Sequence, residues 1–192
     1  MLLQQGYNGL GIQELLDQTG TPRGSFYHFF RSKEDFALQV IDRYMEEVHA
    51  GLKACVSDSS LEPLQRARRF FELSRDKYAQ DGYLGCMLGG LGQELSGVSD
   101  VFAAKIEWCF SEVTRHIAMA LDEARSTGQL PPDTDPHEMA SLLLNCWEGA
   151  ALRSRLWRNP APLDQMLDFY FSTVPVAPPD RSGGTRKTMG PP

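Results

Sequence analysis

The stretch TPRGSFYHFFRSKEDF, Thr21 to Phe36, decides how this chain is read. Between Thr19 and Lys33 stand three cations, Arg23, Arg31 and Lys33, with no Asp or Glu, and Phe26, Tyr27, Phe29 and Phe30 are set among them. The whole chain nevertheless carries a formal net charge of −6, so the cations are a local feature. Ahead of them Ile12 to Gln18 reads as a short helix, QTGTP as a tight turn holding Gly20, and Pro22 to Phe29 as a second short helix. Thr21 is a plausible cap, and Pro22 takes the first helical position, where its missing N–H costs nothing. Two short helices across a glycine turn form a helix-turn-helix, whose second helix lies in the DNA major groove.

In that placement Arg23 projects from the first turn of the second helix toward base edges, and Gly24 and Ser25 keep that end slim. Tyr27 and His28 hydrogen-bond phosphate oxygens, and Lys33 stands at the next helix start, beside N–H groups that also favour an anion. Thr19 and Thr21 border the turn and complete the DNA-facing set. Phe26, Phe29 and Phe30 have the spacing to anchor the helix on a small core. Taken alone, these residues leave open a surface hairpin with three solvated cations.

Composition narrows the choice. With 192 residues, 42% hydrophobic and 23% charged, the chain is long enough for one good core or for a small module fused to a larger one. No apolar run approaches the ~20 residues of a membrane span, and no signal-peptide pattern opens the sequence, so a cytoplasmic protein is expected. Cys55, Cys86, Cys109 and Cys146 form no CxxC pair and read as thiols; His49, His116 and His137 are too scattered to suggest a metal triad. GGLGQE does not follow a strand and is no nucleotide loop, so no cofactor is expected. An enzyme with Cys86 as nucleophile would need a nearby base, for which the sequence has no signature, and the chain is read as a non-enzyme.

The remaining pattern is helical throughout, which gives an all-α protein. Ser32 opens a helix to about Cys55, with Asp35 three residues on completing a start signal. Further helices are expected at Leu61 to Gln80, Cys86 to Leu95, Asp100 to Ser126, Pro136 to Arg158 and Leu163 to Thr173. The longest carries Phe102, Ile106, Phe110, Val113, Ile117 and Leu121 as one apolar stripe. Residues 1–44 are assigned to a DNA-binding head, 45–174 to a ligand-binding and dimerisation domain, and the Pro/Gly-rich 175–192 to a disordered tail.

The run GYNGLGIQELLDQTGTPRGSFYHFFRSKEDF, Gly6 to Phe36, resembles the DNA-binding head of the tetracycline-repressor (TetR) family: a GY, a short helix ending near a Gly, then a Gly, a small residue, an aromatic run and F-x-x-K-x-x-L, with Phe36 in the Leu place. The resemblance implies a ligand-responsive transcriptional regulator, most simply a repressor released from a near-palindromic operator by a small-molecule effector. It also implies a homodimer joined through the last two long helices, where Ala140, Ser141, Gly149, Ala150 and Ala151 suit close helix approach. The family has a longer first helix before the GY, of which MLLQQ supplies about the last turn. An alternative function is a dimeric helical ligand-binding or interaction protein that has lost DNA binding with that helix.

DGYLGCMLGGLGQELSG, Asp81 to Gly97, resembles a branch of the family in which GC opens the sixth helix and whose members respond to electrophiles or small unsaturated acids and aldehydes. A thiol at a helix start sees the positive dipole end, which favours thiolate, so Cys86 is a candidate sensor; its alternative is a small buried hydrophobe, like Cys109 and Cys146. Gln93, Trp108, His116, Trp147 and Arg153, with Glu148 and Arg155, are candidates to line the pocket, and Trp147 and Trp157 are equally candidates for interface anchors.

Overall fold

The computed structural model describes residues 1–173, and the expected tail at 175–192 lies outside the described residues. Nine helices and no strand are found among the described residues: α1 (Leu2–Gly9), α2 (Ile12–Thr19), α3 (Arg23–Phe29), α4 (Lys33–Val56), α5 (Pro63–Gln80), α6 (Met87–Leu95), α7 (Asp100–Ser126), α8 (Pro136–Trp157) and α9 (Ala161–Thr173).

Local chemistry accounts for most boundaries. The Ser32 hydroxyl accepts from the Asp35 N–H at 3.0 Å while the Asp35 carboxylate accepts from the Arg31 N–H at 2.8 Å, a reciprocal start for α4. Ser99 caps α7 by accepting from Phe102, and Asp135 caps α8 by accepting from His137 and Glu138, with Pro136 in the first turn. Gly20 ends α2 in the left-handed conformation, φ 62° and ψ 23°, donating its N–H back to Leu16. One cap differs from the expectation: Pro22, not Thr21, occupies the N-cap of α3, because Thr21 is drawn back to α2, with its N–H on the Leu16 carbonyl and its hydroxyl 2.9 Å from that of Thr19.

The body is built on α7. It packs against α8, α5, α4 and α6, and α9 closes over α8 and α5. Phe102, Ile106, Val113, Ile117 and Leu121 are all buried along its inner stripe, each worth about 1.5–3 kcal/mol of transfer free energy. α4 runs unbroken through the boundary expected at residues 44 and 45, joining the head to a body in which it packs on α5 and α7. α1 lies on α6, the second bridge between head and body.

Candidate nucleic-acid interface and effector pocket

In the head, Phe26 is buried at 3% exposure, and its ring meets Phe30 at 5.1 Å and Phe36 at 5.7 Å. Phe29 departs from the expected anchoring role. It is 68% exposed, because Phe30 leaves the helix with an extended backbone and swings its own ring onto the Phe26–Phe36 cluster. The face this creates carries Arg23, Gly24, Ser25, Tyr27 and His28, all exposed. Arg23 rests against the Tyr27 ring, 5.8 Å from its centroid, and a Cβ added at Gly24 would meet no protein atom within 4 Å. No described residue therefore requires glycine there. Lys33 is held differently from its neighbours: its Nζ sits 4.5 Å from the centre of the Tyr7 ring, which in turn packs edge-on against Phe102 of α7 at 5.1 Å.

The GY turn has a partner that the sequence did not disclose. Glu94, near the end of α6, accepts from the Tyr7 N–H at 2.8 Å and from the Asn8 N–H at 2.6 Å. Gly6 kinks the chain at φ 74°, and a Cβ there would lie 2.6 Å from the Glu94 carboxylate. Both the backbone conformation and the closeness of the carboxylate call for glycine.

In the body a cavity of about 170 Å³ opens between α4, α5, α6, α7 and α8. Its walls are mostly apolar: Val48, Phe70, Phe71, Leu88, Phe110, Val113, Leu144 and Trp147, with Phe71 and Trp147 rings 4.9 Å apart. The polar groups include Tyr44, Ser74, Tyr78, Cys86 and Glu148, with the ion pair of Lys77 and Glu47 at 2.8 Å, both half-exposed. The Tyr44 hydroxyl lies 4.0 Å from Cys86 Sγ. Burial pushes the Glu148 carboxyl up to about 7, with the neighbouring Cys86 thiol pulling weakly the other way.

Cys86 is the N-cap of α6 rather than a first-turn residue. The Leu88 and Gly89 N–H groups do favour its thiolate, as a helix start should, but burial first and the Glu148 carboxylate second outweigh them and push the thiol pKa far up. The dipole argument for a standing thiolate fails on those two neighbours.

Of the expected pocket residues, the cavity brings together Cys86 and Trp147, with Glu148. Gln93 borders a separate groove between α6 and α8. Trp108 is 49% exposed with Lys105 over its ring, and Arg153 lies over the exposed Trp157 ring at 4.7 Å, so both face outward from the bundle. His116 turns toward α4 and stands outside the cavity lining, its Nδ1 donating to the Glu112 carbonyl at 2.8 Å. Tyr44, Phe71 and Tyr78 also line the cavity, and no local sequence pattern sets them apart from the chain's other aromatics.

The expected dimer face also changes in composition. Ala140, Ala150 and Ala151 are buried within the chain's own core, whereas Leu142, Cys146, Gly149, Leu152 and Leu156 are exposed at three- and four-residue intervals along α8. Cys146, expected to be buried, lies in this stripe, and Phe169 of α9 is 65% exposed.

A helix-turn-helix head on a helical body with an internal pocket is the architecture of a one-chain ligand-sensing regulator. Residues 63–170 match the tetracyclin repressor-like C-terminal domain, and residues 1–40 match the bacterial regulatory proteins of the tetR family. The chain belongs to the TetR family of transcriptional regulators. It is 37% identical over 163 residues to the transcriptional regulator AcuR of Cereibacter sphaeroides, covering 84% of this chain and 74% of that one. A regulatory protein TetR from Rhodobacter sphaeroides superposes with a TM-score of 0.84 at 35% identity, covering 89% of this chain and 92% of its own. The reduced form of Escherichia coli NemR superposes with a TM-score of 0.81 at 28% identity, over 93% and 92%. Proteins of this family regulate transcription by binding DNA operators and small-molecule effectors, act as dimers, and are not enzymes. Among the described residues no helix is long and apolar enough to cross a membrane.

Proposed function

We propose that this regulator is a dimeric repressor which holds a near-palindromic operator through Arg23, Gly24, Ser25, Tyr27 and His28, aided by Thr19, Thr21 and Lys33, and lets go when a small uncharged carbonyl compound enters the pocket. The observation that carries the reading is the double role of α6: its N-cap residue, Cys86, borders the cavity, and its last turn holds the GY turn of the head through Glu94. A ligand that displaces the start of α6 moves the carboxylate on which the head hangs, while pressure on Tyr44 and Val48 bears on α4, the other bridge.

Size and polarity choose the effector class. An apolar cavity near 150 Å³ holds a benzene-sized guest, so this one suits roughly six to eight heavy atoms. A carboxyl with a pKa of about 7 spends much of its time protonated, able to donate to a carbonyl oxygen, and the aromatic walls take the apolar remainder.

The test is selection of a binding site from random DNA by the full chain, followed by gel shift with small carbonyl compounds. A recovered palindrome that is released by such a compound from the parent, and much less readily from Glu148→Ala, supports the reading; failure to recover any site, or release that ignores Glu148, overturns it. A second reading rests on the presence of Cys86 and Glu148 together in the lining of one cavity. With a conjugated carbonyl compound, Glu148 takes the thiol proton as the S–C bond forms across the C=C bond, and the proton then passes to the α-carbon. Release that is irreversible in the parent and abolished in Cys86→Ser, with the added mass on Cys86, selects this route; reversible release preserved in Cys86→Ser selects the first.

A further inference from the structure

The strongest unassigned feature lies between α4 and α7, outside the effector cavity. His49 of α4 meets Glu112 and His116 of α7, and one ligand atom from each lies within 4.8 Å of the other two. Glu112 and His116 are four residues apart and so share one face of α7. Two details prepare the histidines for a ligand. The Nδ1 of His116 donates to the Glu112 backbone carbonyl at 2.8 Å, which fixes the proton on that nitrogen and leaves the lone pair on Nε2. The Nε2 of His49 is buried with no hydrogen-bond partner among the described residues, an arrangement that costs stability unless something else fills it.

We infer that His49, Glu112 and His116 form a binding site for a divalent transition ion of the zinc class, bridging the helix that carries the DNA-binding head to the central helix of the body. Two imidazoles and a carboxylate are a ligand set that zinc takes in tetrahedral sites with the fourth position left to water or another ligand. Ligand atoms around such an ion stand roughly 3.3 Å apart, given metal–ligand distances near 2.0–2.1 Å. The cluster therefore has to close by up to about 1.5 Å when the ion enters. Glu112 is now ion-paired with Arg115 at 2.8 Å, and an Arg115 Nη stands 3.4 Å from His116 Nε2. The guanidinium, more than half exposed, therefore occupies the place of the cation and must swing out when the ion enters. Because its ligands come from both helices, the bound ion pins α4 against α7 in the position seen here and opposes any swing of α4 that moves the head.

The site is tested on the full chain with zinc chloride alone, in buffer free of thiol and chelator, by calorimetric titration and by the visible band of cobalt substituted for zinc. The expected result is one ion per chain, a tetrahedral cobalt spectrum without thiolate charge transfer, and a rise in melting temperature with zinc. Affinity should fall more than about tenfold in His49→Gln, in His116→Gln and in Glu112→Gln, the last of which alters only a half-buried surface carboxylate and leaves the fold intact. Arg115→Gln should bind more tightly than the parent, because the competing cation is gone; a purely structural role for the cluster would leave zinc affinity indifferent to Arg115. His137→Gln and Cys146→Ser should match the parent. Absence of saturable binding, binding that persists undiminished in Glu112→Gln and His49→Gln, or binding lost in Cys146→Ser overturns the assignment.

Discussion

A carboxyl group placed where Glu148 sits loses most of its hydration, and its pKa of about 7 in the fold, against an ordinary 4.5, ties stability to pH. Below 4.5 both folded and unfolded chains keep the proton. Between 4.5 and 7 the unfolded chain releases it while the folded chain retains it, so stability falls as pH rises through this window; above 7 the loss is constant, on the order of 3 kcal/mol. Glu148→Gln should therefore be more stable than the parent by about 2–3 kcal/mol at pH 8 and no different at pH 4, as read from urea midpoints. A difference that does not vary with pH would show that the group is solvated in the fold. Gly24 gives a complementary test in the head. A methyl at Gly24 meets nothing within the chain, so Gly24→Ala should leave the melting temperature unchanged or slightly higher. It should nonetheless weaken operator binding, because in the proposed docking that space separates α3 from the groove. Unchanged affinity in a gel shift would place that face of α3 away from DNA. Arg23→Ala should cost about 1–3 kcal/mol in operator affinity and relax base preference at one position.

At the scale of the element, α6 works as a short rod with a chemical contact at each end. Glu94→Gln keeps the size of the side chain but replaces two charge-assisted bonds with weaker ones, and only one of its terminal atoms still accepts. The Tyr7 and Asn8 amides should exchange hydrogen markedly faster, and effector should release DNA less completely, while effector affinity stays near that of the parent. Loss of effector binding in the same variant would mean that α6 is a pocket wall and not a link. This rod was only half visible in the sequence. Cys86 and the glycines around it mark its start, and the GY marks the turn it holds, but their contact joins Tyr7 to Glu94 across 87 residues, and no periodicity records such a pairing. The same limit hid His49 from Glu112 and His116. What was legible is what neighbours in the chain decide: the starts at Ser32, Asp100 and Pro136, the ends at Gln80, Leu95 and Ser126, and the exposed basic face of α3. Misreadings arose where a local pattern admitted two partners. Phe29 and Phe30 compete for one place beside Phe26, and the small residues of α8 divide between an inner face, which takes Ala140, Ala150 and Ala151, and an outer one, which keeps Gly149.

That outer face is the surface proposed for the contact between two copies. Leu142, Leu152 and Leu156 are exposed along one side of α8, with Trp157 at its end and Phe169 on α9, an apolar surface of the sort that a second copy covers in a two-fold assembly. Gly149 stands midway along the stripe with no other described residue near an added Cβ, so, if the copies meet here as proposed, a large charged side chain harms that contact and not the fold of one copy. Gly149→Arg should run as a monomer in sedimentation at micromolar concentration, where the parent runs as a dimer, with an unchanged helical circular dichroism spectrum. Ala150→Arg is the contrasting case: Ala150 is buried, so this variant should lose helical signal and melting temperature as well. Operator binding follows from the same geometry, since a two-fold dimer sets two α3 helices into major grooves about one helical turn, roughly 34–36 Å, apart or somewhat further. A Gly149→Arg monomer has one such helix and should lose affinity for the full palindrome by far more than for a single half-site. If Gly149→Arg remains dimeric and holds the palindrome as the parent does, the subunits meet elsewhere, and the apolar stripe on α8 needs another occupant.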